Sequence, residues 1–175
     1  TRRYHALTPH WGKLFLFFFR GERQPDRTIR CGWYTMPLVL RWRDWAGVEE
    51  FIGGDEYRFT RALLADAEPP VVIDLGANIG LFSLHIFRHT PRAEVHAVEA
   101  SAGTYRVLER NRALHPECRW FTYHLAGWKE DGAVPFLELP ASTSSRISIE
   151  QPTAATVPAQ SLPTSVPSNK PSLSL

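Results

Sequence analysis

The chain has 175 residues, of which 43% are hydrophobic, so it is long enough for one domain with a core of modest size. Its 20 basic and 18 acidic residues leave a net charge of +2, too small for the strong positive field that favours nucleic acid or an anionic membrane. Cys31 and Cys118 lie in unrelated segments without metal or redox spacing, as free thiols in a reducing compartment do, so we expect a cytoplasmic protein without a metal site.

Near the amino terminus, residues 14–19 form an apolar run of Leu and Phe between Lys13 and Arg20. Such a run is too short to cross a bilayer, which takes about 20 residues. We expect it to pack on the domain as a helix or strand, with interfacial membrane association as the alternative. Further along, residues 39–42 are typical of a strand, and the apolar spacing in residues 53–67 predicts a helix.

The most informative segment begins with a β-branched run, Val71–Leu75, that ends in a glycine turn. This pattern predicts a buried parallel strand followed by a helix. Gly76 and Gly80 allow backbone angles or close approaches that a side chain would block. The amides of the turn and of the first helical turn would therefore face a ligand above the strand.

The charges near this turn help to choose the ligand. A dinucleotide fold uses G-x-G-x-x-G, whose amides receive a pyrophosphate. Here Asn78 stands at the second glycine position, and the Asp74 carboxylate would repel a diphosphate but suits the ammonium and sulfonium of S-adenosylmethionine. Glu99 ends a second apolar run and suits ribose hydroxyls, which both ligands carry. The alternative is an ordinary strand-to-helix loop without a ligand.

The next segments continue the alternation of strands and helices. Ser101 is a good N-cap for a helix over residues 102–114, and residues 119–123 resemble a third strand. Strands that alternate with helices at this spacing predict a parallel sheet. Tyr123 and His124 would then lie where an adenine stacks, although core packing accounts for Tyr123 equally well.

His85 and His89 lie one helical turn apart, as metal ligands often do. The acid of an H-E-x-x-H site is absent and the sequence indicates no third ligand. A solvated helix face is therefore the preferred interpretation.

The chain resembles the FkbM-type S-adenosylmethionine-dependent methyltransferases over about positions 41–162. The resemblance is densest between residues 71 and 136, where the D-x-G-A-N-x-G signature lies. The segments that carry it are residues 72–84, 98–100, 105–111 and 131–136, with the serine pair at 144–145. Ala100 stands where the family usually has proline, and Trp128 where it has a small polar residue.

This resemblance implies a Rossmann-like, doubly wound parallel sheet of the class I methyltransferase fold. It also implies S-adenosylmethionine as cofactor and methyl transfer to a hydroxyl of a small molecule or glycan. Asp74 would orient the methionine end and Glu99 would hold the ribose. The expected cofactor-binding residues are Asp74, Gly76, Ala77, Asn78, Gly80 and Glu99. No catalytic base is assigned, and His124 is a possible one.

The carboxyl-terminal part departs from this pattern, because the family's next acidic strand does not follow Leu162. Residues 151–175 contain five prolines, five serines and three threonines but a single charged residue, a composition that predicts disorder. We therefore expect an extension over 1–40, a partial methyltransferase domain over 41–150 that is incomplete at the C-terminus, and a disordered tail over 151–175. A linker to a missing domain is the alternative for the tail.

The sequence leaves three functions open. The first is a partial methyltransferase that is inactive alone, because one edge of the Val71–Leu75 strand would lack a partner strand. The second is an NAD-dependent oxidoreductase half-domain, which Asp74 and Asn78 disfavour. The third is a binding protein that keeps the cofactor fold without turnover.

Overall fold

The computed structural model describes residues 17, 28–33, 36–45, 47–48, 57, 60, 68–137, 146–147 and 155–161. The first elements are the antiparallel strands β1 (Thr28–Trp33) and β2 (Met36–Arg41), followed by a 3₁₀ helix over Trp42–Asp44. The strand expected over residues 39–42 is thus confirmed for residues 39–41. The boundary that we expected at residue 40 falls inside β2.

A three-stranded parallel sheet forms the centre of the structure. Its strands β3 (Val71–Leu75), β4 (Glu94–Glu99) and β5 (Arg119–His124) lie side by side in chain order. Helix α1 (Leu81–His89) connects β3 to β4, and α2 (Ala102–Arg112) connects β4 to β5. The expected Rossmann-like α/β fold with a parallel sheet is confirmed.

One face of this sheet is packed against the helices. In register across it lie Val72, Val95 and Trp120, and both Val95 and Trp120 are buried. The Trp120 ring lies 5.6 Å from that of Phe87 in α1, measured between ring centroids. Burial of these large apolar side chains supplies most of the stabilisation of a sheet–helix layer of this size.

The opposite face of the sheet is far more open. Val71, Ile73 and Leu75 project from it and are 60%, 50% and 48% exposed. Within the described ranges, β3 pairs with β4 and with no other strand. The expectation that one edge of β3 lacks a partner strand in the whole chain stays a prediction.

Buried polar groups attach the amino-terminal hairpin to the central unit. The Asn111 amide of α2 accepts a hydrogen bond from the Val39 N–H at 2.7 Å and donates to the Val39 carbonyl at 3.0 Å. It also donates to the Ile79 carbonyl at 2.7 Å, so one side chain joins β2, α2 and the β3–α1 turn. Nearby, the buried Arg41 guanidinium is paired with Asp44 at 2.7 Å and donates to the Thr104 hydroxyl at 3.1 Å.

A second sheet follows β5, with strands in the order β6, β9, β7 and β8. Their bounds are Ala126–Trp128 for β6, Gly132–Leu137 for β7, Arg146–Ile147 for β8 and Ala155–Ser161 for β9. Strand β9 runs parallel to β6 and antiparallel to β7. Trp128 packs against the core of this sheet.

The prediction of a disordered tail over 151–175 is wrong for residues 155–161, which form β9. Val157 and Ala159 are buried and alternate with exposed Thr156, Pro158 and Gln160, the period of a half-buried strand. The Asp131 carboxylate accepts hydrogen bonds from the Ser161 amide and hydroxyl at 2.7 and 2.8 Å. Composition concealed this alternation because proline and polar residues fill the outward positions. The other tail residues lie outside the described residues.

Some predictions for the first 67 residues fall mainly outside the described part. Of the apolar run 14–19, Phe17 is described; it is helical and buried in the core, in line with packing on the domain. Of the helix expected over 53–67, only Tyr57 and Thr60 are described. Among the described helices, none has both the length and the apolar character needed to cross a membrane.

We expect Asn111→Ala to lower the free energy of unfolding by about 2–4 kcal/mol, because it leaves the Val39 and Ile79 backbone groups buried without partners. Arg110→Ala is the matched control, since Arg110 is exposed on the same helix, and it should cost less than about 0.5 kcal/mol. Urea unfolding of the three proteins measures both values. Similar costs for the two variants would show that the Asn111 contacts do not hold the hairpin.

Candidate functional site

The end of β4 holds the β3–α1 turn through three consecutive backbone amides. Gly76 and Ala77 both donate to the Val98 carbonyl at 2.9 Å, and Asn78 donates to the Glu99 carboxylate at 2.9 Å. Parallel pairing of β3 with β4 brings these groups to the same sheet edge. The turn is therefore built on the carboxyl ends of both strands, the edge where α/β sheets bind ligands.

The turn backbone adopts left-handed angles at three positions, with φ of 72° at Gly76, 53° at Asn78 and 92° at Gly80. Asn is among the few non-glycine residues that adopt this region with some frequency. The two glycines differ in the space around them. A Cβ atom at Gly80 would lie 2.5 Å from the Trp120 ring, whereas no atom of the described residues lies within 4 Å of a Cβ at Gly76. Among these residues, the backbone at Gly76 is thus open to a ligand.

Glu99 is buried, with 8% of its surface exposed, and its two oxygens accept from different loops. Oε2 accepts from the Asn78 amide, and Oε1 accepts from the Ser101 amide at 2.8 Å. Burial raises the pKa of this carboxyl, and the Asp74 charge raises it further, against the lowering effect of both amide bonds and of Arg41. Each oxygen keeps a second lone pair that can accept from a ligand.

Asp74 is 7% exposed and turns toward the first turn of α1. Its carboxylate accepts from the Ser83 hydroxyl at 2.6 Å. Burial raises the pKa of Asp74, and the side-chain and backbone hydrogen bonds from Ser83 partly oppose this. Asp74 thus contacts the first turn of α1 in this structure. Its expected contact with a methionine ammonium stays a prediction.

The site is rich in hydrogen-bond acceptors. The Oδ1 atom of Asn78 is buried and has no hydrogen-bond partner within the described part of the chain. A buried polar atom of this kind is uncommon in proteins and calls for a partner. Together with the two carboxylates it suits a ligand that carries hydroxyl or ammonium donors. The same set opposes a pyrophosphate, which offers further negative charge.

The structure brings all six expected cofactor residues to this sheet edge: Asp74, Gly76, Ala77, Asn78, Gly80 and Glu99. Their contact with a cofactor remains a prediction. Sequence reasoning missed Asn111 as a support of the turn and Ser83 as the partner of Asp74. Neither contact has a local sequence signal, since Ser83 lies nine positions after Asp74 and the N-cap of α1 is Gly80.

The two aromatic candidates for adenine stacking have other partners. The Tyr123 hydroxyl lies 2.9 Å from His96 Nδ1 on the open face of the sheet. His124 stacks on Tyr105, with centroids 5.0 Å apart, and its Nε2 donates to the Ala100 carbonyl at 3.1 Å. Only Nδ1 of His124 is then left to exchange a proton, if this residue acts as a base.

The two histidines of α1 do meet, with His85 and His89 ring centroids 4.6 Å apart. His85 Nε2 also lies 3.2 Å from the Thr60 hydroxyl. In the described part of the chain, the cluster of three potential metal ligands lies elsewhere, at His115, Glu117 and Cys118.

Models of known protein families give no match to this chain. Among curated proteins, it is 50% identical over 46 residues to the methyltransferase SdnD of Sordaria araneosa, which is 26% of this chain and 18% of that protein. It is 58% identical over 45 residues to the AMB antimetabolite synthetase AmbE of Pseudomonas aeruginosa, which is 25% of this chain and 2% of the synthetase. The matches thus span less than a fifth of each relative.

Among solved structures, a methyltransferase from Agrobacterium tumefaciens described as S-adenosylmethionine-dependent aligns with a TM-score of 0.43 and 16% identity, over 54% of this chain and 31% of that one. A putative O-methyltransferase from Nostoc punctiforme aligns with a TM-score of 0.33 and 27% identity, over 41% and 22%. Alignments at these scores do not bear on the choice of function.

Substitution of the two glycines should separate backbone strain from crowding. Gly76→Ala adds only the cost of a left-handed alanine, about 1–2 kcal/mol. Gly80→Ala adds a collision with Trp120 and Leu108, so we expect it to cost about 2–5 kcal/mol of unfolding free energy. Urea unfolding of both variants tests this difference. Equal costs would contradict the close packing of Trp120 on the turn.

Proposed function

We propose that this chain binds S-adenosylmethionine at the ends of β3 and β4, and that the protein transfers its methyl group to a hydroxyl of a small molecule or glycan. The observation that carries the proposal is the set of buried acceptors on a turn with open backbone. Glu99 has lone pairs to spare, and among the described residues Asn78 Oδ1 has no hydrogen-bond partner and no atom crowds the backbone of Gly76. The 46-residue similarity to a curated methyltransferase supports the same activity.

The residues present fit this cofactor. In the proposed arrangement, the free lone pairs of Glu99 accept the ribose hydroxyls, and the Asp74 carboxylate provides negative charge for the methionine end. The bound cofactor supplies a methyl group on a positively charged sulfur, which is already an activated leaving group. The work left to the protein is to align an acceptor oxygen and to accept its proton.

The finer parts of the proposal rest on the resemblance to the FkbM-type enzymes. They are membership of that type and the hydroxyl as acceptor, whereas the proposed cytoplasmic setting rests on the two cysteines without metal or redox spacing. An NAD-dependent oxidoreductase is the runner-up. It would place a pyrophosphate over a turn flanked by Asp74 and Glu99, where like charges repel. A binding protein without turnover would keep the same cofactor contacts and would differ only in catalysis.

Replacing Glu99 by Gln tests the ribose contact. Gln keeps the shape but removes the charge from a pair of hydrogen bonds, so we expect affinity for S-adenosylhomocysteine to fall by roughly 1.5–3 kcal/mol. Isothermal titration calorimetry gives the affinity. Urea unfolding of the ligand-free variant separates this loss from a change in the turn itself, since one amide loses its acceptor in the variant.

Glu94→Gln is the matched control for this variant. Glu94 begins the same strand, about 16 Å from Glu99, and bonds to His96 and Arg119 away from the site. Its replacement should leave the affinity unchanged. Transfer of label from methyl-labelled S-adenosylmethionine to a panel of hydroxylated acceptors then tests turnover. Unchanged affinity in Glu99→Gln would refute the ribose assignment, and tight binding without label transfer would favour the binding protein.

A further inference from the structure

A second cluster of chemically active side chains lies just before the amino-terminal end of β5, at the end of the central sheet opposite to Glu99. The loop from α2 to β5 brings together His115 Nδ1 or Nε2, a Glu117 carboxylate oxygen and Cys118 Sγ, all within 4.8 Å of one another. A tight turn closes the loop, in which the Cys118 amide donates to the His115 carbonyl at 3.1 Å. Pro116 occupies the second position of this turn, which its fixed φ favours.

A hydrogen bond at Nε2 orients the His115 ring. His115 is 2% exposed, and its Nε2 lies 2.8 Å from the Pro37 carbonyl of β2. A carbonyl only accepts, so Nε2 must carry the proton and donate it. In the neutral ring the lone pair is then on Nδ1, which faces Glu117 Oε1 at 3.5 Å. Histidine ligands of metals are usually held by such a bond from their other nitrogen.

Nδ1 and the Glu117 carboxylate are both acceptors, so a cation must lie between them for the contact to be favourable. A metal ion can take that place. The Cys118 thiol donates to the same Glu117 oxygen at 3.9 Å, so a nitrogen, an oxygen and a sulfur atom converge on one point.

The distances from the Glu117 oxygen to the other two atoms are close to those of a tetrahedral zinc site. With zinc bonds of about 2.1 Å to nitrogen and oxygen and about 2.3 Å to sulfur, tetrahedral edges are about 3.4 Å from nitrogen to oxygen and about 3.6 Å from oxygen to sulfur. The corresponding distances here are 3.5 Å and 3.9 Å. The His115 nitrogen and the Cys118 sulfur lie within 4.8 Å of each other, against a tetrahedral edge of about 3.6 Å.

We propose that His115, Glu117 and Cys118 bind one Zn²⁺ ion, with water in the fourth position. The ion closes the α2–β5 loop and, through the His115 bond to Pro37, fastens that loop to the amino-terminal hairpin. The site lies at the start of β5, whereas Glu99 lies at the carboxyl end of β4. This site does not depend on the proposed methyltransferase activity.

The test uses the full chain, freed of metal with a chelator and titrated with Co²⁺ and then Zn²⁺. We expect one equivalent of Co²⁺ to give the visible bands of a tetrahedral site together with a thiolate-to-cobalt charge-transfer band in the near ultraviolet. Zn²⁺ should displace it. Cys118→Ala should abolish the charge-transfer band, and Glu117→Gln should weaken Co²⁺ binding at least about tenfold.

Two controls distinguish this site from other ligands. Cys31→Ala should keep the charge-transfer band, because the proposed site takes its sulfur from Cys118. His89→Ala removes the histidine pair of α1, which is not part of the proposed site. The cobalt affinity should therefore be unchanged. Glu117 is 67% exposed, so its variant folds and stays informative even if His115 variants do not. Absence of the band, or a band that survives Cys118→Ala, would overturn the proposal.

Discussion

The structure depends on how the end of β4 holds the β3–α1 turn. Three consecutive amides, from Gly76 to Asn78, are satisfied by the last two residues of β4. A turn of this shape needs left-handed backbone at Gly76, Asn78 and Gly80, which is unfavourable unless neighbouring groups fix it. The Val98 carbonyl and the Glu99 carboxylate are those groups. The buried acid therefore shapes the site as well as lining it.

Polar and apolar side chains from other elements support the β3–α1 turn. Asn111 satisfies the Ile79 carbonyl and the Val39 backbone at once, so the hairpin and the turn share one buried amide. Trp120 fills the space beneath Gly80 and leaves no room for a side chain there. Two buried acids remain near one another, and burial raises the pKa of both. A ligand with positive charge or donors would relieve this cost.

Local sequence patterns predicted the strands and helices of the central sheet, but they did not predict the contacts between residues that are far apart in the sequence. Neighbouring residues alone determine the patterns of the Val71–Leu75 strand, the Glu94–Glu99 strand and the Ser101 cap. The structure contains all three. The Ser101 hydroxyl accepts a hydrogen bond from the Thr104 amide. The role of Asn111 has no local signal, because its partners lie 72 and 32 residues away. Strand β9 was missed because its partners β6 and β7 are not adjacent in sequence. The His115 cluster was missed because it depends on a turn and on the Pro37 carbonyl.

The most direct test of the account is a side-by-side titration of the full chain with S-adenosylhomocysteine and with NAD. Both carry an adenosine, so both can use Glu99, and only the second places a pyrophosphate over the turn. The acceptor-rich turn predicts that S-adenosylhomocysteine binds more tightly and displaces NAD. Tighter binding of NAD, with loss of that binding on Asp74→Ala, would contradict the account.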